Sequence, residues 1–304
     1  MFKEKKGLDA IDKVLFCLPE RERGVLASFF SGLVNRKKVT ELRFRANAPA
    51  SVTYEERNVS VFGGREIVLS EADMRSFFSR LCEESVHTYG STMNEGYVTL
   101  SGGLRIGVCG KAVSDGTSVK NLREISSVAV RIPQAITGVS AEILPLIMKG
   151  QRIYSALFYA LPGAGKTTLI RDIAAKLGAK RRVAVVDSRG EIYMREMFSR
   201  SLCDFLEGYP KGAGIEIATR TLSPEVIICD EIGDGEAEKI LASQNTGVPL
   251  IATAHGGALC ALMQRPGIKK LYEAGVFRYY IGVSRPCGAS NYFFEVKDTA
   301  GVNV

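Results

Sequence analysis

The chain has 304 residues, of which 46% are hydrophobic and 24% are charged, as in ordinary soluble globular proteins. This length predicts two domains, each large enough for its own core. The formal net charge of +7 comes from 40 basic and 33 acidic side chains. The basic residues fall in short groups without interleaved aromatics, so we expect a solvated surface and not a nucleic-acid-binding one.

The cysteines argue against an extracellular protein. There are seven, an odd number without a CxxC pair, so neither a disulfide framework nor a zinc site is predicted. Residues 3–6 are charged, so no signal peptide is predicted. No apolar run approaches the ~18–20 residues of a membrane helix. We therefore expect a cytoplasmic protein that reaches a membrane only through partners.

The first part of the chain, residues 1–138, is predicted to be a smaller α+β domain. Apolar residues recur at helical spacing over residues 8–30, and residues 41–54 are extended apart from one turn. Residues 70–73 match a capping box ahead of a helix with an apolar stripe. A hairpin is predicted around Ser101-Gly102-Gly103.

The linker between this part and the second domain, residues 139–304, is predicted near residues 133–140. Before the linker, Arg105 and Arg131 each alternate with apolar residues in a predicted strand, so both point away from the apolar face. The plainest interpretation is that they are solvated arginines on the open face of an antiparallel sheet.

Within the second domain, an apolar run from Ile153 leads into a glycine-containing loop and then a helical pattern. This order is the context of a phosphate-binding P-loop, the Walker A motif. The loop amides and helix N-terminus direct positive charge at phosphates, Lys166 adds a full charge, and Thr167 offers a hydroxyl to Mg²⁺. The predicted nucleotide-binding residues are Pro162, Gly163, Ala164, Gly165, Lys166, Thr167 and Thr168.

One position departs from the Walker A pattern, which has glycine where this chain has Ala160. Alanine costs little there if the backbone is extended, and more if φ must be positive. The alternative to a P-loop is a glycine turn followed by an ordinary helix.

Four apolar residues end in Asp230 and Glu231, which predicts a buried parallel strand with carboxylates at its C-terminal end, the Walker B pattern. Asp230 is expected to hold Mg²⁺, and Glu231 to orient or deprotonate the attacking water. The alternative is a solvated acidic turn.

Two further strands are predicted to end at the same sheet edge. One ends at Asp187, with Glu191 just beyond, and the other at His255. The four strands would bring Lys166, Asp187, Asp230 and His255 together. A histidine there could sense the γ-phosphate, although a structural histidine is the other interpretation.

Two segments resemble motifs of the traffic ATPases of type II and type IV secretion. Residues 187–191 (DSRGE) resemble their acidic box, and residues 252–256 (ATAHG) resemble their histidine box. Residues 165–174, 223–233 and 41–45 further resemble the sporulation branch of that superfamily, from endospore-forming bacteria.

Residues 102–107 also resemble this branch, although it typically has histidine where this chain has Leu104. The resemblance implies a RecA-like P-loop NTPase domain with a largely parallel sheet, ATP and Mg²⁺ as ligands, and a homohexameric ring. It also implies a role for three arginines. Arg105 and Arg131 would reach the γ-phosphate, and Arg220 is a candidate for contact across a subunit boundary.

From the residues and the resemblance together we expect a secretion-type ATP hydrolase. Glu231 is its predicted base, and Glu191 is the second choice. Resemblance places it in the mother cell, docked on integral membrane proteins of a sporulation secretion complex that links mother cell and forespore. Two alternatives remain: a nucleic-acid-dependent RecA-like motor, and a nucleotide-gated scaffold with little turnover, which Ala160 makes conceivable.

Overall fold

The computed structural model describes residues 9–84, 93–100, 104–117, 119–244, 246–285 and 291–299. The chain forms two compact units, Met1–Gln134 and Ala135–Val304. Their boundary falls within the predicted linker. The glycine turn at residues 101–103 and the lysines of the first six residues lie outside the described residues.

The first unit is built on a six-stranded antiparallel sheet with strand order β3-β2-β1-β8-β7-β6, and a two-stranded ribbon pairs β4 with β5. The strands are β1 (Val39–Arg45), β2 (Ala48–Tyr54), β3 (Arg57–Val59), β4 (Val61–Phe62), β5 (Arg65–Glu66), β6 (Tyr97–Leu100), β7 (Leu104–Ser114) and β8 (Val119–Arg131). The predicted hairpin is present, since Leu100 pairs with Leu104 across β6 and β7.

Helices of the first unit share one apolar core with its sheet. They are Ala10–Cys17, Glu20–Ser31 and Glu71–Leu81, with a 3-10 turn at Arg36–Lys38. The capping box predicted at Ser70 and Asp73 is confirmed, because each side chain accepts a hydrogen bond from the backbone N–H of the other residue. The chain entering the helix is thus fixed by local bonds.

The second unit is a seven-stranded sheet with order β13-β12-β14-β15-β11-β16-β17. All its strands are parallel to their neighbours except β17, which runs antiparallel to β16. The strands, with a small β9–β10 ribbon, are β9 (Met148–Lys149), β10 (Arg152–Ile153), β11 (Ala156–Ala160), β12 (Val183–Asp187), β13 (Cys203–Glu207), β14 (Val226–Glu231), β15 (Leu250–His255), β16 (Tyr279–Ser284) and β17 (Phe293–Asp298).

Helices cover both faces of this sheet, and alternate residues of β11 enter two separate cores. The P-loop helix, Lys166–Gly178, packs on one face with the short helices Leu144–Ile147 and Arg195–Phe198. The opposite face carries the helices Lys211–Thr221, Ala237–Gln244, Leu259–Leu262 and Pro266–Glu273 and the 3-10 turn Asp234–Glu236. Burial on both faces explains why the central strands β11 and β12 and the first four residues of β14 are almost wholly apolar.

Among the described residues, no helix is both long and apolar enough to cross a membrane. The parallel strands β11, β12, β14 and β15 all end at one edge of the sheet, and a site built at that edge draws residues from each of them.

Candidate functional site

The P-loop connects β11 to its helix through two glycines in left-handed conformation. Gly163 has φ of 78° and Gly165, the N-cap of the helix, has φ of 89°. Residues with a side chain rarely adopt such angles, so glycine is required at both positions. Ala160 is instead the last residue of β11 and pairs with His255, so its backbone is extended and alanine fits without strain.

Lys166 is the first residue of the helix, and its ammonium folds back across the loop. It donates to the carbonyl oxygens of Ala160, at 2.8 Å, and Leu161, at 3.3 Å. Burial lowers the pKa of Lys166, and the negative charge of Glu231 acts in the opposite direction. The Lys166 ammonium therefore lies at the start of the loop, beside Ala160 and Leu161. Thr167 and Thr168 are half-buried in the same first turn.

A tyrosine from the C-terminal part of the unit packs against the loop. Tyr292 donates its hydroxyl to the carbonyl of Gly165 at 3.3 Å. A Cβ on Gly165 would lie 2.2 Å from that hydroxyl oxygen. The close approach is a second reason for glycine at this position.

A cavity of about 680 Å³ adjoins the loop, lined by loop residues, by Gly257, and by β16 and β17. Pro162, Gly163 and Ala164 of the loop line it, whereas Lys166, Thr167 and Asp230 do not.

The two acids of β14 lie at a bulge. Cys229 and Glu231 pair with consecutive residues of β15, so Asp230 is the extra residue, and a bulge re-aims the side chains beside it. One Asp230 oxygen accepts from the hydroxyl of Ser188 at 2.9 Å, and the other lies 3.7 Å from the Lys211 ammonium. Burial raises the pKa of Asp230 to about 6, against the lowering effects of Lys211 and Ser188.

Asp187 ends β12 at the same edge, but its carboxylate organises its own turn. It is fully buried and accepts from the backbone N–H groups of Glu191 at 2.9 Å, Ile192 at 2.7 Å and Tyr193 at 3.1 Å. Arg171 of the P-loop helix donates to the carbonyls of Ile192, at 3.0 Å, and Glu191. Asp187 therefore lies at the predicted edge, and its carboxylate supports the turn that carries Glu191.

His255 ends β15 beside the P-loop strand and is exposed. Its carbonyl accepts from Arg265 at 3.1 Å. The strands β14, β15 and β11 are neighbours in the sheet, so Glu231 and His255, which end the first two, lie at the same edge as the loop that carries Lys166 after β11. The sensing role of His255 stays a prediction.

Arg220 lies elsewhere. It belongs to the last turn of Lys211–Thr221, is exposed, and lies 3.3 Å from Glu216 of the same helix. Lys211, at the other end of this helix, is the residue beside Asp230. The structure therefore does not bring Arg220 to the Asp230 cluster within one chain.

In the first unit, Arg105 and Arg131 are direct cross-strand partners, and Arg131 pairs on its other side with Glu41. The Arg105 guanidinium lies 4.4 Å from the centre of the Tyr97 ring. Arg131 lines a polar hollow of about 710 Å³ together with Arg43 and Arg45. The predicted alternation is present, since the neighbours of Arg105 in β7 are buried.

A family model described as "Sporulation stage III, protein AA" matches residues 12–293. The stage III sporulation protein AA of Bacillus subtilis (strain 168) is 33% identical over 268 residues, covering 83% of this chain and 84% of that protein. The chain belongs to the stage III sporulation protein AA family.

The fold of the chain is similar to that of solved structures of other proteins. The chain superposes on the ATPase DotB of Legionella pneumophila with a TM-score of 0.63 at 14% identity, covering 92% of this chain and 82% of that one. For the pilus retraction motor PilT with bound ADP the TM-score is 0.64 at 16% identity, covering 91% and 82%. The fold is therefore that of the RecA-like secretion ATPases, as the sequence predicts.

Several residues that contact the candidate site were not predicted from the sequence. Ser188 and Lys211 contact Asp230, Arg171 holds the turn of Glu191, and Tyr292 covers Gly165. One signal was available for Lys211. A cation at a helix N-terminus opposes the helix dipole, so a lysine there calls for a tertiary partner.

Proposed function

We propose that this protein binds ATP with Mg²⁺ and hydrolyses ATP as a secretion-type ATPase. The observation that carries the proposal is the meeting of the glycine loop with Lys166, the bulged Asp230–Glu231 pair and His255 at the carboxyl edge of one parallel sheet. A phosphate cradle next to a candidate base and a candidate sensor is what phosphoryl transfer requires.

Binding is assigned to the loop and the first helical turn. The backbone N–H groups of the loop and the Lys166 ammonium would hold the phosphates. Thr167 and Asp230 are the oxygen donors that fit Mg²⁺, an ion that keeps several waters and needs only one or two protein ligands beside nucleotide phosphate. When bound, Mg²⁺ neutralises charge that develops on the phosphate oxygens.

Chemistry is assigned to Glu231, which would orient and deprotonate the attacking water. Its exposed position at the end of β14 leaves room for a water molecule. Glu191, held by the Asp187 turn, is the second candidate. His255 would sense the γ-phosphate from the neighbouring strand.

We further propose that hydrolysis needs arginines from outside the P-loop unit. Arg105 and Arg131 stand side by side on a sheet face away from the apolar core, a suitable surface for closing over anionic phosphate. In a homohexameric ring, Arg220 is placed on an exposed helix end that a neighbouring subunit could meet.

Family membership supports the cellular part of the proposal. The protein would act in the mother-cell cytoplasm, docked on integral membrane proteins, and drive assembly of or transport through a channel to the forespore.

Steady-state phosphate release by the purified full chain, with sizing in ATP and in ADP, tests this function. We expect Mg²⁺-dependent hydrolysis and a larger assembly in ATP. Hydrolysis that requires added duplex DNA would support the motor instead. Tight ATP binding with negligible turnover would support the scaffold.

A further inference from the structure

Lys211 lies beside the two acids of the proposed metal site. Its ammonium donates to the carbonyl of Glu231 and lies 3.7 Å from Asp230 Oδ1, and the two side chains are only 17% and 14% exposed. The other Asp230 oxygen is already bonded to Ser188. Oδ1, the oxygen without the Ser188 bond, is therefore the one next to the ammonium.

The position of Lys211 is fixed by the fold. The helix begins at this residue, and three residues further on a Cβ on Gly214 would lie 2.6 Å from Val186 of β12, so the first turn is pressed against the sheet. The first turn contains no acidic residue. With the unfavourable helix dipole and no local anion, the stabilisation of Lys211 comes from Asp230 and the Glu231 carbonyl.

We infer that Lys211 is a built-in competitor of Mg²⁺, an internal cation that holds Asp230 and Glu231 and must leave Asp230 when the metal binds. This inference rests on the proposed function. Two cations this close to one carboxylate oxygen repel each other in a partly buried site, where screening by water is weak. Removing the ammonium therefore strengthens Mg²⁺ binding, and the coupling is reciprocal.

Competition predicts a different result from two plainer roles. If Lys211 were only a structural tie, its loss would lower stability but leave the Mg²⁺ requirement unchanged. If it bound a phosphate, its loss would weaken nucleotide binding even without metal. The three roles separate in one titration.

The experiment measures binding of a fluorescent ATP analogue to the full chain by anisotropy while Mg²⁺ is titrated from EDTA conditions. The variants are Lys211→Met, which removes charge and donor, Lys211→Gln, which keeps an N–H donor, and Lys211→Arg, which keeps the charge. Lys269→Met is the matched control, because Lys269 lies 3.7 Å from Glu273 in an exposed pair on another helix.

We expect Lys211→Met and Lys211→Gln to lower the half-saturating Mg²⁺ concentration about fivefold or more, the lower end of typical coupling. Lys211→Arg and Lys269→Met should stay near wild type. An unchanged or raised Mg²⁺ requirement in Lys211→Gln would overturn the inference, as would weaker binding in EDTA.

Folding and function are controlled separately. If Lys211→Met unfolds, Lys211→Gln decides, and the melting temperature in EDTA identifies the folded variants. Wild-type protein that binds no nucleotide at any Mg²⁺ concentration would contradict the proposed function, which is a distinct outcome.

Discussion

At the scale of single residues, two neighbouring acids have different proposed roles, metal binding for Asp230 and proton transfer for Glu231. Asp230 is half-buried, bonded to Ser188 and close to Lys211, whereas Glu231 is exposed at the strand end. A buried, partnered carboxylate suits metal binding, and an exposed one suits proton transfer. The bulge at Asp230 interrupts the regular alternation of side chains at this pair.

Glu231→Gln should therefore retain ATP and trap the bound state, since the amide keeps the shape but cannot accept the proton. We expect turnover to fall at least a hundredfold, within the usual contribution of a general base, with ATP affinity nearly unchanged. Single-turnover hydrolysis with a parallel binding isotherm checks this. If Glu231→Gln turns over normally while Glu191→Gln does not, the base is Glu191.

At the scale of elements, one buried carboxylate joins the start of the second unit to the P-loop helix. Asp172 accepts from the N–H groups of Gly138, at 3.0 Å, and Ser140, at 2.8 Å, and from the Ser140 hydroxyl at 2.7 Å. Lys176 lies 3.3 Å away. The segment that enters the unit is thereby anchored six residues beyond Lys166.

Asp172→Ala should destabilise the protein by about 3 kcal/mol, because it leaves buried N–H groups without acceptors. Chemical denaturation measures the loss, and Asp204→Ala, on an exposed strand position, is the matched control. A loss no larger than that of the control would show that water or a neighbour replaces the carboxylate.

The same carboxylate predicts a pH dependence. Burial raises its pKa, but the hydrogen bonds from Ser140 and Gly138 and the charge of Lys176 outweigh it, so the pKa of Asp172 is lowered from 3.8. The stabilisation is then full above about pH 4 and is lost as pH falls further. The difference in unfolding free energy between wild type and Asp172→Asn should narrow below pH 4. A difference that stays constant to pH 3 would contradict this linkage.

The contrast between Asp172 and Ser70 shows what the sequence could predict. Ser70 caps a helix through bonds within three residues, and the strands ending at Asp187, Asp230 and His255 are evident from apolar runs that stop at polar residues. Asp172 finds partners 32 and 34 positions earlier. Such pairing depends on tertiary approach, which no local pattern encodes, and the same holds for Lys211 beside Asp230.

At the scale of the whole molecule, the proposed ATPase mechanism requires the first unit to take part in catalysis. Its sheet places Arg105 and Arg131 side by side on the face opposite the core. Guanidinium groups that meet developing phosphate charge act mainly in the transition state.

Arg105→Ala and Arg131→Ala should each lower kcat at least tenfold with only a modest loss of ATP affinity, the signature of a transition-state contact. Arg57→Ala, an exposed arginine on β3 of the same sheet, is the matched control. Steady-state kinetics over a range of ATP concentrations checks this. If all three variants match wild type, the two arginines are solvated surface residues and the active site lies within the second unit alone.

The most direct test of the proposed ATP hydrolysis at the P-loop compares phosphate release from Mg²⁺–ATP by the full chain and its Lys166→Ala variant. The variant removes a charge that donates to the carbonyls of Ala160 and Leu161, so the fold should remain intact, as circular dichroism would show. Lys180→Ala, an exposed lysine just beyond the end of the same helix, is the control. We expect wild type and Lys180→Ala to hydrolyse ATP and Lys166→Ala to have lost this hydrolysis. Equal phosphate release by all three proteins would contradict it.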